Sequence, residues 1–422
     1  MNSGNKTLIV DPIFDRKNFK SEFRLHSDSV FLSNMRLINM GIKEDADGPS
    51  PLNPLTGNFC IESIQLMDGG TLLDQVLEAS ILQGFRNYKK TNDENTSIQN
   101  NLTKNNLGFV LSGVTTFDGQ TPKLPNRNTL KMDAENGPSE VGSELADTSW
   151  LSLKELLPFL SSSLYVPTDV FKNLKIVINW KNPSQLKNLV KTQNQNYSTL
   201  EETALVVDEV SEGEAKNKMM SSYQGVSFKA IESDRVVVPS ITGIPADGTK
   251  EQQNRFLTNA FNNKSVERMV VVQTPTADFV SGNDLKGAGN QASQAQFRSS
   301  FQLRINGANH LSRDGLTRKN QRLATLTQSW GECNLIPGSN NVYNEDLVTN
   351  NVAQGKEAQN LMGQFDYIAC NVNKSIQEMV VEYNRTGVDG NADLNQQLLL
   401  NIFCEVNKAV SVENKKYTVS YI

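Results

Sequence analysis

Residues able to carry chemistry are few in this chain and stand far apart. His26 and His310 are the only histidines in 422 residues, and Cys60, Cys333, Cys370 and Cys404 share no metal-binding spacing. A jelly-roll metal oxygenase gathers several imidazoles at one centre, which two histidines do not supply. A Ser–His–Asp hydrolase of the nucleophile-elbow type needs Gly-x-Ser-x-Gly, which is absent. "GIPADGTK" (243–250) has Gly243 and Gly248 spaced as in a phosphate loop, but Thr249 and Lys250 come in reversed order, so it reads as a turn. "DGNADL" (389–394) sets Asp389, Asn391 and Asp393 on alternate positions like a calcium loop. Leu394 and Leu400 then occupy the places of the required glycine and closing glutamate, so a hairpin loop is expected. The pair Glu201–Glu202 reads as solvated. The sequence therefore nominates no catalytic, cofactor-binding or metal-binding residue, and a non-enzyme without a cofactor is expected.

Composition narrows the class further. Forty-one Lys and Arg against 46 Asp and Glu give a net charge of −5, with a pI near 5.4. General nucleic-acid binders carry a basic excess instead. The early cations Lys6, Arg16, Lys17, Lys20 and Arg24 are interrupted by Asp11, Asp15 and Glu22, as in a solvated arm. No stretch reaches the ~18 apolar residues of a membrane span. The first residues lack the apolar core of a secretory signal, so the protein is expected to be made inside a cell and not secreted. Four scattered cysteines fit free thiols in a reducing compartment.

The elements that would position any site are mostly strands. "VFLSNMRLINM" (30–40), "NFCIESIQLMD" (58–68), "LGFVLSGVTTF" (107–117), "KIVINW" (175–180) and "ALVVDEV" (204–210) are short, apolar-rich and bounded by turn residues. So are 226–238, 266–273, 297–306, 376–383, 398–406 and 417–422, while 89–106 and 339–360 read as loops. Residues 71–90 carry Leu72, Leu73, Val76, Leu77, Ile81 and Phe85 at helical spacing, which predicts a helix capped by Thr71. A shorter helix is expected over 250–261. At mid-chain, Ser152 and Glu155 have capping-box spacing and Leu151 and Leu156 staple spacing, with Pro158 expected to end or kink the helix. Beyond Pro167, Leu174, Ile176, Ile178 and Trp180 fall on one face of a strand and Lys175, Val177, Asn179 and Lys181 on the other.

"IVINWKN" (176–182) returns as "MVVEYNR" (379–385), and each is followed by a further strand ending in Glu-Val, "ALVVDEV" and "NIFCEV". A chain of this length favours two domains. The boundaries expected are an arm over 1–21, a first jelly roll over 22–211, a linker over 212–224 and a second jelly roll over 225–422. The fold class is mainly β: two tandem jelly-roll sandwiches with a few inserted helices.

Three segments carry a resemblance. "SEFRLHSDSVFLSNMRLINMGI" (21–42), "CIESIQLMDGGTLLDQVLEASILQGFRNYKK" (60–90) and "LSLKELLPFLSSSLYVPTDVFKNLKIVINW" (151–180) resemble double jelly-roll major capsid proteins of polinton-like viruses, adintoviruses and virophages. The resemblance covers about the first 180 residues. It implies a homotrimer shaped as a pseudo-hexamer, contacts with neighbouring capsomers and with penton and minor capsid proteins, and residence in the virion. It carries over no catalytic residue. A jelly-roll carbohydrate-binding or attachment protein is the alternative; it requires an exposed aromatic groove, which Trp150, Trp180 and Trp330 do not define by sequence.

Overall fold

The alternation read at 174–180 is realised as a strand whose Leu174, Ile176, Ile178 and Trp180 are buried. The computed structural model describes residues 4–13, 19–38, 42–44, 61–79, 81–82, 85, 150–181, 197–199, 203–211, 213–275, 299–331, 367–390 and 395–422. Contacts divide the chain into two units. One comprises Met1–Gln83, Asp93–Ile231 and Asn407–Ile422; the other comprises Gly84–Asn92 and Glu232–Val406.

The first unit's strands are β1 (Asn5–Val10), β2 (Lys20–Arg24), β3 (Val30–Leu32), β4 (Arg36–Ile38), β5 (Ile42–Glu44), β6 (Ile61–Asp68), β7 (Thr71–Leu77), β8 (Trp150–Ser152), β9 (Tyr165–Pro167), β10 (Leu174–Trp180), β11 (Tyr197–Thr199) and β12 (Ala204–Val210). One sheet runs β2-β10-β6-β7. The other centres on β12, which pairs β1 on one side and both β3 and β4 on the other; these continue to β9 and β8. With β3/β4 and β8/β9 counted as broken single strands and the β5–β11 ribbon set aside, the orders are 1-8-3-6 and 2-7-4-5. That is the winding of an eight-stranded jelly roll.

The second set is β13 (Gly225–Val238), β14 (Thr249–Thr258), β15 (Lys264–Pro275), β16 (Ser299–Ile305), β17 (Ala308–Asn309), β18 (Ile368–Ile376), β19 (Met379–Val388) and β20 (Leu398–Glu413), with β21 (Lys416–Tyr421) added beside β20. Its sheets, β13-β20-β15-β18 and β14-β19-β16-β17, give the same two orders. The recurring heptads lie in β10 and β19, the seventh strand of each roll. Their inward rungs pack as Phe23–Ile176–Leu66 in one sheet and Phe256–Val381–Leu303 in the other. Each fully buried aliphatic or aromatic side chain contributes about 1.5–3 kcal/mol.

Several expectations change on contact with the structure. Residues 71–77 are a strand, and helix begins only near Ala79. A β-bulge at Leu66/Met67 leaves Leu73 as an extra residue, so Leu73 and Val76 are both fully buried at a spacing of three. That spacing imitates a helix. Residues 250–261 are mostly strand β14, because a ten-residue ladder with β19 overrides weak local preference. Ser152 makes no capping bond to the 3₁₀ turn Leu153–Glu155, and Pro158 starts helix α1 (Pro158–Ser162) rather than stopping one. The amide of Phe159 in α1 is held by the buried carboxylate of Asp74 at 2.8 Å. The run 30–40 breaks into β3 and β4, and 376–383 turns at Gln377–Glu378. Val177, placed on the polar face of β10, is buried. The segments 89–106, 107–117 and 339–360 lie outside the described residues.

The stretch expected as a linker holds helix α2 (Gly213–Ser222), which buries none of its residues. An aromatic seam follows it within the first unit: Tyr165 and Phe171 against Tyr223, Phe171 against Phe159 and Tyr417, and Phe159 against Phe228, with centroids 5.1–6.1 Å apart. Tyr417 belongs to β21, so the end of the described chain is stitched into the first unit. Lys415 beside it pairs with the buried Asp169 at 2.9 Å.

Candidate functional site

Both histidines have a structural partner in place. His26 lies in the loop after β2, its Nε2 2.9 Å from Glu209 Oε1 and its ring edge-on to Phe31. The Ser29 hydroxyl donates to that same Glu209 oxygen. Serine and histidine thus converge on the carboxylate instead of forming a serine–histidine–acid relay. Burial alone would raise the Glu209 carboxyl; the bonds from Ser29 and His26, with the charges of His26 and Lys216, outweigh it and leave the group below its ordinary value. Next to it, hydrogen bonds from Thr7 on β1 and from Asn34 lower Asp208. These two carboxylates hold the N-terminal strand and the β2–β3 loop in place.

His310 belongs to the other unit, with Nε2 2.6 Å from the Asn371 carbonyl. The turn at 243–250 is closed by its own groups: the Lys250 ammonium donates to the Thr242 carbonyl at 2.6 Å, and the Asp247 amide to Asp389 Oδ2 at 3.0 Å. A carboxylate therefore already occupies the amide that a phosphate would need. Residues 391–394 and the pair Glu201–Glu202 lie outside the described residues.

The second unit's charged centre is more enclosed. Arg268 of β15 makes two bonds to Glu405, at 2.6 and 2.8 Å, donates to the Ser329 carbonyl, and lies 4.1 Å over the ring of Trp330. Trp330 ends helix α3 (Lys319–Trp330). Arg385 is buried with three neutral acceptors: Gln252 Oε1 and the carbonyls of Gln396 and Pro239. Burial pulls its guanidinium down from the usual arginine range. Burial also pushes the Cys370 thiol up to about 12 and raises Cys404, so neither is a nucleophile near neutrality. Among the described residues no group of three His, Cys, Asp or Glu could hold a metal. Trp180 and Trp330 are both buried and belong to different units; nothing is described of the Trp150 side chain. The described tryptophans form no exposed aromatic groove.

What the sequence could not place is the surface of the sandwich edges. β14 presents ten residues along one side of its sheet, and its outward face reads Thr249, Glu251, Gln253, Arg255, Leu257. Beside it, Asn384 and Thr386 of β19 and Ser300 of β16 line a polar hollow of about 580 Å³. The doubled 1-8-3-6 and 2-7-4-5 winding decides the architecture. This is a double jelly roll.

Solved structures share it along nearly the whole chain. PBCV-1 VP54, in the crystal structure fitted into a reconstruction of the virophage Sputnik, matches with a TM-score of 0.54 at 9% identity, over 99% of this chain and 97% of that one. The mavirus major capsid protein matches at 0.51 and 10% identity, over 98% and 90%. The cryo-EM structure of the Sputnik virophage matches at 0.50 and 8%, over 99% and 88%. Identity this low speaks for the fold. No family model matches the sequence, and no curated protein does. No helix among the described residues is long and apolar enough to cross a membrane.

Proposed function

We propose that this chain is a viral major capsid protein, a homotrimer in which two jelly rolls per subunit give six similar corners. The observation that carries the reading is the repetition of one complete eight-strand winding within a single chain, matched end to end by the mavirus major capsid protein. The first roll comprises β1 to β12, the second β13 to β20, with α2 between them. Three copies present six rolls around a threefold axis, and the ring closes through two different surfaces on each subunit. An obligate interface of this sort buries on the order of 2,000 Å² or more.

The interior chemistry is consistent with a scaffold. Charged groups such as the half-buried Arg268 and the buried Arg385 and Asp74 are spent on fixing strands and turns. Neighbouring capsomers, penton and minor capsid proteins are the partners this role entails, and the virion is the place of residence. With a net charge of −5, the chain as a whole does not neutralise a genome. The test is solution mass by light scattering or mass photometry over a dilution series. A dilution-resistant mass of three times 46.8 kDa is expected. A stable monomer at every concentration overturns the reading.

A further inference from the structure

β14 is the outermost strand of its sheet, and no strand among the described residues pairs with its far side. Long edges are usually blunted by charged side chains, a proline, a bulge or brevity, and of these β14 carries only charge, as Lys250, Glu251 and Arg255. Thr249–Thr258 has no proline, and its ladder with β19 runs ten residues without a register shift. Its counterpart in the first roll, β2, has five residues. Outward-facing residues of β14 are exposed throughout, including Leu257 at 56%.

That outward series is symmetric about Gln253, with an acid two places before it and a base two places after. Opposed residues of antiparallel strands share a face. A second β14 laid along this edge with a two-fold axis at Gln253 sets Glu251 opposite Arg255 of the second copy, and Arg255 opposite its Glu251. Gln253 then faces itself. Moving the axis to Gln252 or Asn254 keeps the faces matched but puts Glu251 opposite Gln253 or Leu257 and loses both pairs. Charge therefore selects one register.

The charges within one copy leave room for this match. Arg255 Nε lies 3.9 Å and Arg304 Nη1 3.4 Å from the same oxygen of Glu382, so two guanidinium groups share one carboxylate. Glu251, exposed, has no ion-pair partner among the described residues. One copy offers a surplus cation and an unmatched acid on a single strand edge, at positions that interchange under a two-fold axis.

We infer that β14 is a self-recognition edge, joining two copies of this chain by continuing the sheet β14-β19-β16 across a two-fold axis. The contact is isologous and made by strand addition. It is a different contact from the threefold closure proposed above.

Gln253→Cys tests the axis directly. Opposed Cβ atoms lie about 4.5–5.5 Å apart, close enough for a disulfide after small adjustment. Mild oxidation is expected to link the introduced thiol of one copy to the same thiol of another, identified by peptide mapping against the native cysteines. Glu251→Cys alone is expected not to link, whereas the E251C/R255C double variant links position 251 to position 255. In parallel, Glu251→Arg or Arg255→Glu is expected to weaken pairing about tenfold or more through like-charge opposition, and the double reversal to restore it. Unchanged melting temperatures check that these exposed substitutions leave the fold intact. Absence of the 253–253 link, as when some other chain occupies the edge, overturns the inference, and so does a double reversal no better than the singles. A 253–253 link in a protein that never forms trimers keeps this edge and rejects the trimer; trimers that pair equally well with E251R do the reverse.

Discussion

The two rolls wind identically and solve the same local problems with different chemistry. Each eighth strand carries a Glu-Val pair, Glu209 in β12 and Glu405 in β20. Opposite Glu209 on the third strand stands Phe31, so its partners come from a loop, as His26 and Ser29. Opposite Glu405 stands Arg268, which binds it through two bonds inside the sheet. The fourth-to-fifth-strand turn shows the same pattern. In the first roll Asp68 accepts the Asn173 amide at 2.7 Å while Gly69 donates to the Asn173 carbonyl. In the second, Asn306 Oδ1 accepts the backbone amides of Gln377 and Glu378, and the Asn306 backbone N–H donates to the Glu378 carbonyl. Both turns thus grip the chain just before the seventh strand. The winding demands a grip at that point, and any acceptor of suitable reach supplies it.

Substitutions at matched positions sharpen the contrast. Arg268→Met is expected to cost about 3 kcal/mol, since it strands the buried Glu405, whereas His26→Ala at a half-exposed pair should cost about 0–1 kcal/mol; chemical denaturation of the two variants reads the difference. Equal losses would mean that the two glutamates are equally enclosed. Tyr383→Phe removes the bond to the buried Gln273, at 2.8 Å, and Trp180→Phe the bond to Ser21. Each is expected to lower stability by about 1–3 kcal/mol, with Trp180→Phe at the upper end because it also loses volume. Asn306→Ala should cost about 1–2 kcal/mol by leaving two amides without their acceptor. Asp68→Ala, which removes the acceptor of one amide rather than two, should cost less.

Acid provides the mildest probe. Asp208 and Glu209 lie below their ordinary values in the folded chain, so their contribution is complete above the ordinary carboxylate range, near pH 4. It is lost as pH falls through the lower folded values. Amide exchange in β1, which Asp208 holds through Thr7, is expected to quicken in that window. A β1 unaffected down to global acid unfolding would refute this assignment.

Legibility in the sequence follows how far apart the determinants lie. The seventh strands are readable because their burial is set by neighbours two residues away, and the echo between 176–182 and 379–385 marks matching strands. The bulge at Leu66/Met67 is not, since one inserted residue shifts alternation into a helical spacing. β14 reads as a helix because Lys250, Glu251, Gln252 and Gln253 carry no strand preference, and only the ladder with β19 makes them one. The Glu209 cluster joins residues 183 positions apart, and no local pattern announces that.

The stitching of Lys415 and Tyr417 into the first unit has a bearing on synthesis. Residues 407–422 are the last of the described chain to leave the ribosome, yet the unit begun by β1 includes them. The ring of Phe171 and the carboxylate of Asp169 therefore wait, through the making of the whole second roll, for the partners that cover them. The first unit to be started is among the last to be finished, and a nascent chain stalled before residue 407 would leave that aromatic seam open to water.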